Sequence, residues 1–394
     1  MADAVKIRDV LRVCRPAPGD RQALYKYLRW DWEHLTDEEK GKLPKIGALR
    51  ALAAIKTFGP EAIALAKEAH ATWEVMISQY GNKAEVWDAL DLPFMAGLRN
   101  LRNLLQAGSK VALPKFLAQL QDEKAVRRSK QLPFRFLSAY REVESAGGMN
   151  SRVMQALSQA MQLSVANLPK LEGVTAVAAD NSGSMAHKLS AKSAVSYADI
   201  ANVFTALAGH LSDQGYSMAF GTDVASVSVN PADSILTNAQ KVARADTKGM
   251  STNGFLIPVH LMGGTVHWTQ SSYHSGYGFK KGHIVKTLSP IKVDRVLIFT
   301  DCQLYDASGE NESLAQQMAV YRRTINPNAR LYVFNLAGYG TMQTPKDDPL
   351  SVEVAGWSEQ VLRFIPLFEK GAEVGVNLID RMTQAGVVSE SEDL

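Results

Sequence analysis

The run Val174-Thr175-Ala176-Val177-Ala178-Ala179 breaks abruptly at Asp180-Asn181-Ser182-Gly183-Ser184, and this junction constrains the chain more than any other stretch. Small and β-branched residues without alternation suit a strand buried on both faces, as parallel strands are. Asp180, Ser182 and Ser184 are alternate residues on the turn that leaves it, so one carboxylate and two hydroxyls are expected to converge. Hard oxygen donors of this kind suit Mg²⁺, which keeps several waters. Gly183 is expected to supply the tight turn. Helix-compatible sequence runs from about 191 to 211, giving strand, metal loop, helix. Two other uses of these residues are open. Asp180 or Ser182 can cap the next helix, or Ser182 can be a nucleophile with His187 nearby. A nucleophile elbow reads Gly-x-Ser-x-Gly, however, and here position 180 is Asp and position 184 is Ser. Acceptor-rich neighbours describe a cation site better than an oxyanion site, so no enzymatic activity is expected.

A chain of 394 residues is long for one domain, and its 46% hydrophobic content supports full cores. Two domains are expected, 1–170 and 171–394, with the junction near Leu171. There is no apolar run long enough to span a bilayer and no signal-peptide pattern, so a soluble, cytoplasmic protein without membrane contact is expected. Cys14 and Cys302 form no CxxC, and neither a disulfide framework nor a zinc site is indicated. Formal charge divides unevenly: residues 1–170 carry +8 and residues 171–394 carry −5. Polyanion binding is therefore expected in the first part, although surplus lysines on solvated helices would give the same count.

The first part reads as helix after helix, punctuated by proline. Segments 5–13, 22–32, 44–58, 60–80, 93–106, 114–120, 133–144 and 151–167 carry helical spacing, several opened by Pro at the first turn. Consecutive short helices point to stacked hairpins, a HEAT-like solenoid in an arc or part ring. From 171 the pattern alternates: strands at 174–179, 216–220, 224–229, 294–300 and 330–336, and helices at 191–211, 233–244, 311–324, 357–368 and 373–384. Strands separated by helices imply a parallel sheet covered on both faces, with ligands beyond the strands' carboxyl ends.

The Asp-x-Ser-x-Ser pattern resembles the metal-ion-dependent adhesion site of von Willebrand factor A domains. The resemblance implies two further ligands, a threonine from a second loop and an aspartate at the end of a later strand. Gly249-Met250-Ser251-Thr252-Asn253-Gly254 supplies Thr252, and Val296-Leu297-Ile298-Phe299-Thr300-Asp301 supplies Asp301. Mg²⁺ or another divalent cation is then expected on Asp180, Ser182, Ser184, Thr252 and Asp301, with Thr265 as the reserve threonine.

Four phrases together are similar to the TROVE-domain proteins, the Ro autoantigen family. They are Ile7-Arg8-Asp9-Val10-Leu11-Arg12-Val13, Gly97-Leu98-Arg99-Asn100-Leu101-Arg102-Asn103, Leu132-Pro133-Phe134-Arg135-Phe136-Leu137-Ser138-Ala139-Tyr140, and Arg330-Leu331-Tyr332-Val333-Phe334-Asn335-Leu336. That resemblance implies a HEAT-like RNA-binding domain joined to a von Willebrand A domain. It further implies small noncoding (Y-like) or misfolded RNA as partner. Members of that family usually carry more helices before the first phrase, so an open arc or a ring completed by other copies of the chain are the alternatives here. Arg99, Arg102, Lys110, Lys124, Arg127, Arg128, Lys130, Arg135 and Arg141 are the expected RNA contacts, since Lys and Arg neutralise phosphates. Phe136 and Tyr140 are four apart, which favours burial over base stacking.

The segment Met262 to Ser289 is rich in Gly, His and aromatics and is expected to be a hairpin for packing or self-association, remote from the metal. The function expected is Ro-type RNA binding with a Mg²⁺-dependent ligand site. The alternative is a metal-dependent protein-interaction scaffold without RNA, in which a partner's carboxylate completes the metal shell.

Overall fold

The computed structural model describes residues 7–15, 17, 19–147, 151–191, 193–248, 251–270, 280–304, 313–338, 343–344, 348–356 and 360–371. The chain divides into two compact units, Met1–Phe116 and Leu117–Leu394. The junction read near Leu171 marks where helix gives way to strand. The compact units divide earlier, so the helices after 117 share a unit with the sheet.

The first unit is helical: α1 Ile7–Cys14, α2 Gln22–Trp30, α3 Asp37–Gly41, α4 Pro44–Ala54, α5 Pro60–Ala69, α6 Trp73–Tyr80, α7 Ala84–Asp88, α8 Phe94–Arg99, α9 Leu101–Ala107 and the start of α10 Ala112–Gln121. Pro44 and Pro60 open their helices, where a missing N–H costs nothing. The expected single helix over 60–80 is two. His70 takes a left-handed conformation (φ 50°) and its N–H closes α5 on Ala66 and Lys67, turning the chain before α6. The expected helix over 93–106 likewise divides at Asn100, whose side-chain amide donates to the Ala96 carbonyl. Leu52, Ala62, Met76 and Val86 form one buried cluster, and Trp87 and Leu104 anchor a second. Asp88 fastens α7 to the start of α10: its carboxylate accepts from the Ser109 hydroxyl and from the N–H groups of Lys110, Val111 and Ala112, the last at 2.9 Å. Burial opposes the ionised form of Asp88, but these bonds outweigh it and hold the carboxyl below its ordinary range.

The second unit begins with the rest of α10, then α11 Glu123–Ser129, α12 Pro133–Ser145 and α13 Ser151–Ser164. Next come β1 Leu171–Asp180, α14 Tyr197–Leu211, β2 Ser212–Phe220, β3 Val224–Val227, α15 Ile235–Ala243 and α16 Leu256–Leu261. A ribbon of β4 Gly264–Gln270 and β5 Lys280–Lys286 precedes β6 Arg295–Thr300, α17 Leu314–Thr324, β7 Arg330–Asn335, β8 Ser351–Ala355 and α18 Val361–Glu369. The main sheet has the order β3-β2-β1-β6-β7-β8. All its pairs are parallel except β2 with β3, so the expected parallel sheet carries one antiparallel edge. The expected helix at 373–384 lies outside the described residues.

The sheet is covered on both faces. On one, Ala176, Ala178, Val296, Ile298, Leu331 and Val333 pack with Ile257 and Leu261 of α16 and Leu314, Met318 and Tyr321 of α17. On the other, Phe134 of α12 packs on Phe204 of α14 (4.4 Å between ring centres), Phe204 stacks on Phe299 of β6, and Phe299 stacks on Phe334 of β7 (4.7 Å each). Phe136 is fully buried, as its spacing predicts. At the sheet's amino end, buried Arg295 makes two 2.8 Å bonds to Glu369 and reaches the Glu172 carbonyl and Thr175 hydroxyl. These partners offset the desolvation of a charge that would otherwise be costly inside.

Candidate functional site

β1 has β2 on one side and β6 on the other, and the crevice beyond the carboxyl ends of β1 and β6 is a topological switch point, where α/β sheets take their ligands. Asp180 is the last residue of β1, and Asp301 follows the last residue of β6. Both are buried, with 0% and 2% of their surface exposed. One Asp180 oxygen accepts from the Ser182 N–H at 2.9 Å and the other from the Thr300 hydroxyl at 2.6 Å. Ser182 then precedes a 3₁₀ turn, Gly183–Ala186, without a side-chain cap bond to it, and the turn brings the Ser184 hydroxyl to 3.3 Å from that of Ser182. The turn is made without a left-handed glycine: Gly183 is not among the positive-φ residues, whereas Cys302, just past Asp301, is (φ 59°). The backbone distortion expected at Gly183 lies instead at Cys302, a residue for which that conformation is strained.

Thr252 is buried in a loop whose neighbours fix its end of the sheet. The Asn253 N–H donates to the Gly221 carbonyl, just beyond β2, and its side chain to the Thr222 carbonyl. A Cβ on Gly254 would stand 2.9 Å from Leu304, three residues past Asp301. Thr252 therefore lies on a segment held between the loops that leave β2 and β6. Thr265, the reserve candidate, is excluded by place: it sits in the β4–β5 ribbon with its hydroxyl 2.9 Å from that of Thr287. The ribbon's base joins the start of the sheet, through bonds from Ile291 to Leu261 and from Asp294 to Val174. The hairpin expected between 262 and 289 is thus present and away from the Asp180–Ser184 loop; its tip, 271–279, lies outside the described residues.

Burial raises the Asp180 carboxyl to about 6, against the hydrogen bonds from Thr300 and Ser182, and the neighbouring Asp301 charge adds to the rise. Among the described residues neither carboxylate has a Lys, Arg or His ion-pair partner. Two adjacent buried carboxylates facing hydroxyls, with no side-chain cation, are a donor set that a hard divalent ion fits. Among the described residues no group of three or more His, Cys, Asp or Glu gathers here or elsewhere, so the set rests on two carboxylates and on hydroxyls. His187 places Nδ1 2.6 Å from the Ser184 carbonyl. Thr300 was not singled out from the sequence; its signal is only that it precedes Asp301 in the same strand.

The cationic candidates fall in both units. In the first, Arg99 and Arg102 are exposed on α8 and α9, and Lys110 is exposed where Asp88 holds its backbone. In the second, Lys124, Arg127 and Arg128 are exposed on α11, Lys130 caps it in a left-handed conformation, and Arg135 is exposed in the first turns of α12. Arg127 pairs with Glu123 at 3.0 Å, a solvent-exposed i,i+4 pair that holds weakly. Arg141 is different, and its place among the expected phosphate contacts is corrected. It is half-buried, and its guanidinium is taken by Glu144 at 2.7 Å and by Asp199 at the start of α14. It joins α12 to the sheet's covering helix.

Residues 65–147 match the TROVE domain. Telomerase protein component 1 of Mus musculus is 49% identical over 78 residues, which are 18% of this chain and 3% of that protein. Its counterpart in Rattus norvegicus is 50% identical over 74 residues, again 18% and 3%. The chain therefore spans only a small fraction of the curated relatives it matches. Among solved structures, the Ro (RSR) protein of Deinococcus radiodurans superposes with a TM-score of 0.65 at 19% identity, covering 91% of this chain and 69% of that one. The TROVE match thus lies within the helical part of this chain. The chain's fold, a helical region followed by a mostly parallel six-stranded sheet with helices, is that of a Ro protein.

Proposed function

We propose that this is a non-enzymatic RNA-binding protein of Ro type, taking small noncoding RNA on cationic helix surfaces and a carboxylate-bearing ligand at a divalent cation in its sheet unit. The observation that carries the RNA reading is where the cations lie. All nine expected contacts fall inside the TROVE match at 65–147, and eight of them are exposed. TROVE and Ro proteins bind noncoding RNA, and exposed Lys and Arg supply the sequence-independent, salt-sensitive part of such affinity. The run Lys124, Arg127, Arg128, Lys130 and Arg135 is its densest part. Y-like or misfolded RNA is the proposed class. The test is a titration of structured noncoding RNA at several salt concentrations: affinity should fall steeply with salt, and affinity indifferent to salt would end the reading.

Asp180, Ser182, Ser184, Thr252 and Asp301 would hold the cation, Mg²⁺ by the hardness of the set. A bound ion would supply positive charge to two buried carboxylates and an open place for an incoming carboxylate. The chain's own part is to orient: Thr300 and the Ser182 N–H fix both oxygens of Asp180. His187 addresses the Ser184 carbonyl rather than Ser182, and the Asp180 carboxylate beside Ser182 is already held by Thr300, which supports ligand rather than nucleophile. A serine-directed fluorophosphonate should leave Ser182 unlabelled, and labelling would overturn the non-enzymatic reading. Among the described residues no helix is long and apolar enough to cross a membrane.

A further inference from the structure

The left-handed break at His70 opens a cleft of about 630 Å³ in the first unit, between α5, α6 and the segment 89–96 that enters α8. Its size lies within the range of small-ligand pockets, about 300–1,000 Å³. Ile63, Met76, Leu90 and Pro93 make its wall apolar, and Trp73 gives it an aromatic surface. Trp73 is half-buried and its ring lies against that of the fully buried Trp87, 6.1 Å between centres at 25°, so its indole is backed by a rigid partner. Three charged side chains line the opening: Lys67, Glu74 and Asp91. Asp91 is engaged by Lys115 at 2.7 Å. Glu74 is exposed, and among the described residues its carboxylate has no partner. Arg99 is three residues beyond the lining residue Ala96 on α8 and so shares its face.

We propose that this cleft takes one unstacked guanine base of single-stranded RNA. The base lies against Trp73, as splayed RNA bases do on aromatic side chains. Its Watson–Crick edge is read by Glu74: a carboxylate only accepts, and guanine offers two adjacent donors, N1–H and the N2 amine, that match its two oxygens. Adenine presents an acceptor at N1 and meets the carboxylate unfavourably. Lys67 and Arg99 supply positive charge for the flanking phosphates. The inference rests on the RNA reading above and deepens it, adding base selection in the first unit to phosphate contacts that carry no sequence information.

The test uses the full chain and three RNA pentamers, UUGUU, UUAUU and the inosine form UUIUU, titrated by calorimetry. UUGUU should bind about tenfold tighter than UUAUU, with UUIUU between them because inosine lacks the N2 amine. E74Q lies at an exposed position and should remove most of the preference, weakening UUGUU and strengthening UUAUU, because an amide can donate to the adenine N1 acceptor that the carboxylate repels; K67A should weaken all three alike. Equal affinities, or a preference that survives E74Q, overturn the proposal. Binding of no pentamer hands the cleft to an apolar side chain of a protein partner and overturns it as well. Loss of guanine preference with structured-RNA affinity intact sinks the cleft alone. Guanine preference retained by a protein that binds no structured RNA sinks the Ro-type reading and keeps the cleft.

Discussion

The carboxyl end of the sheet and the cationic run 124–135 lie in the same compact unit but are built in opposite ways. At the sheet end, residues 180, 182, 184 and 301 are brought together from loops more than a hundred positions apart, and Asp180, Ser182 and Asp301 are buried. In the run, five cations are neighbours in sequence and all are exposed. A buried site is defined to within a hydrogen bond and tolerates little, because each oxygen has one place to go. An exposed charged helix is defined only by its sign and density, and side chains there shift at small cost. Arg141 marks the border between the two: its charge is of the run's kind, but burial commits it to Asp199 and Glu144.

The sharpest way to break this contrast is at the scaffold. Phe204→Ala removes the ring between Phe134 and Phe299, and a large-to-small change at such a fully buried aromatic should cost about 3–5 kcal/mol, read by urea denaturation. A loss under about 1 kcal/mol would mean that the stack does not hold α12 and α14 to the sheet. Arg295→Ala, which leaves the half-buried Glu369 without its cation and the Thr175 hydroxyl and Glu172 carbonyl without their partner, should cost about 3 kcal/mol.

The next experiment separates the two sites. Saturating Mg²⁺ should raise the melting temperature of the wild type, by the equivalent of about 2.7 kcal/mol at a hundred times Kd. Asp180→Ala should abolish that response and leave RNA affinity nearly intact. A folded Asp180 variant that lost RNA binding would place the RNA on the metal instead. Conversely, replacing Arg127 and Arg128 by Ala should weaken RNA of every sequence and flatten the salt slope by about one unit for each phosphate no longer neutralised, with the Mg²⁺ response unchanged. If the slope kept its value, phosphate would lie elsewhere.

The smallest expected effect is a pH dependence in the sheet unit. Burial pushes the His260 imidazole below its ordinary value, against the nearby Asp223 charge, and Nε2 lies 2.8 Å from the Ser226 hydroxyl. The unfolded chain takes up a proton near pH 6.5 that the folded imidazole refuses, so stability is full above that pH and declines as pH falls below it. His260→Gln should flatten this part of the stability curve measured between pH 7.5 and 5.5.

Much of this molecule is legible in one dimension because its signals are local. The buried strand 174–179, the proline-opened helices at 44, 60 and 133, and the charge of 124–130 depend on neighbours in sequence alone. The approach of the Ser182 and Ser184 hydroxyls was legible because alternate residues sit on one turn. Elements that sequence reading missed are short or sign-ambiguous. The five-residue helices α3 and α7 are too brief to show a period, α11 looked like a charge run, and β8 is an edge strand with no apolar run of its own. The breaks at His70 and Asn100 left no Gly or Pro to mark them, since a left-handed His and a side-chain bond to Ala96 did the work of a breaker.

What the chain determines by itself is therefore the set of elements and the chemistry each can carry: hard oxygens after β1 and β6, cations on α11. Which of them meet is a property of the tertiary structure. Parallel pairing of β1 with β6 sets Asp180 beside the Thr300–Asp301 pair, and packing of α12 on α14 takes Arg141 out of solvent. The sharp turn after α5 makes a cleft beside Trp73. The physical reason is range: propensity, capping and periodicity act within a few residues, whereas burial and charge pairing depend on which distant segment arrives alongside.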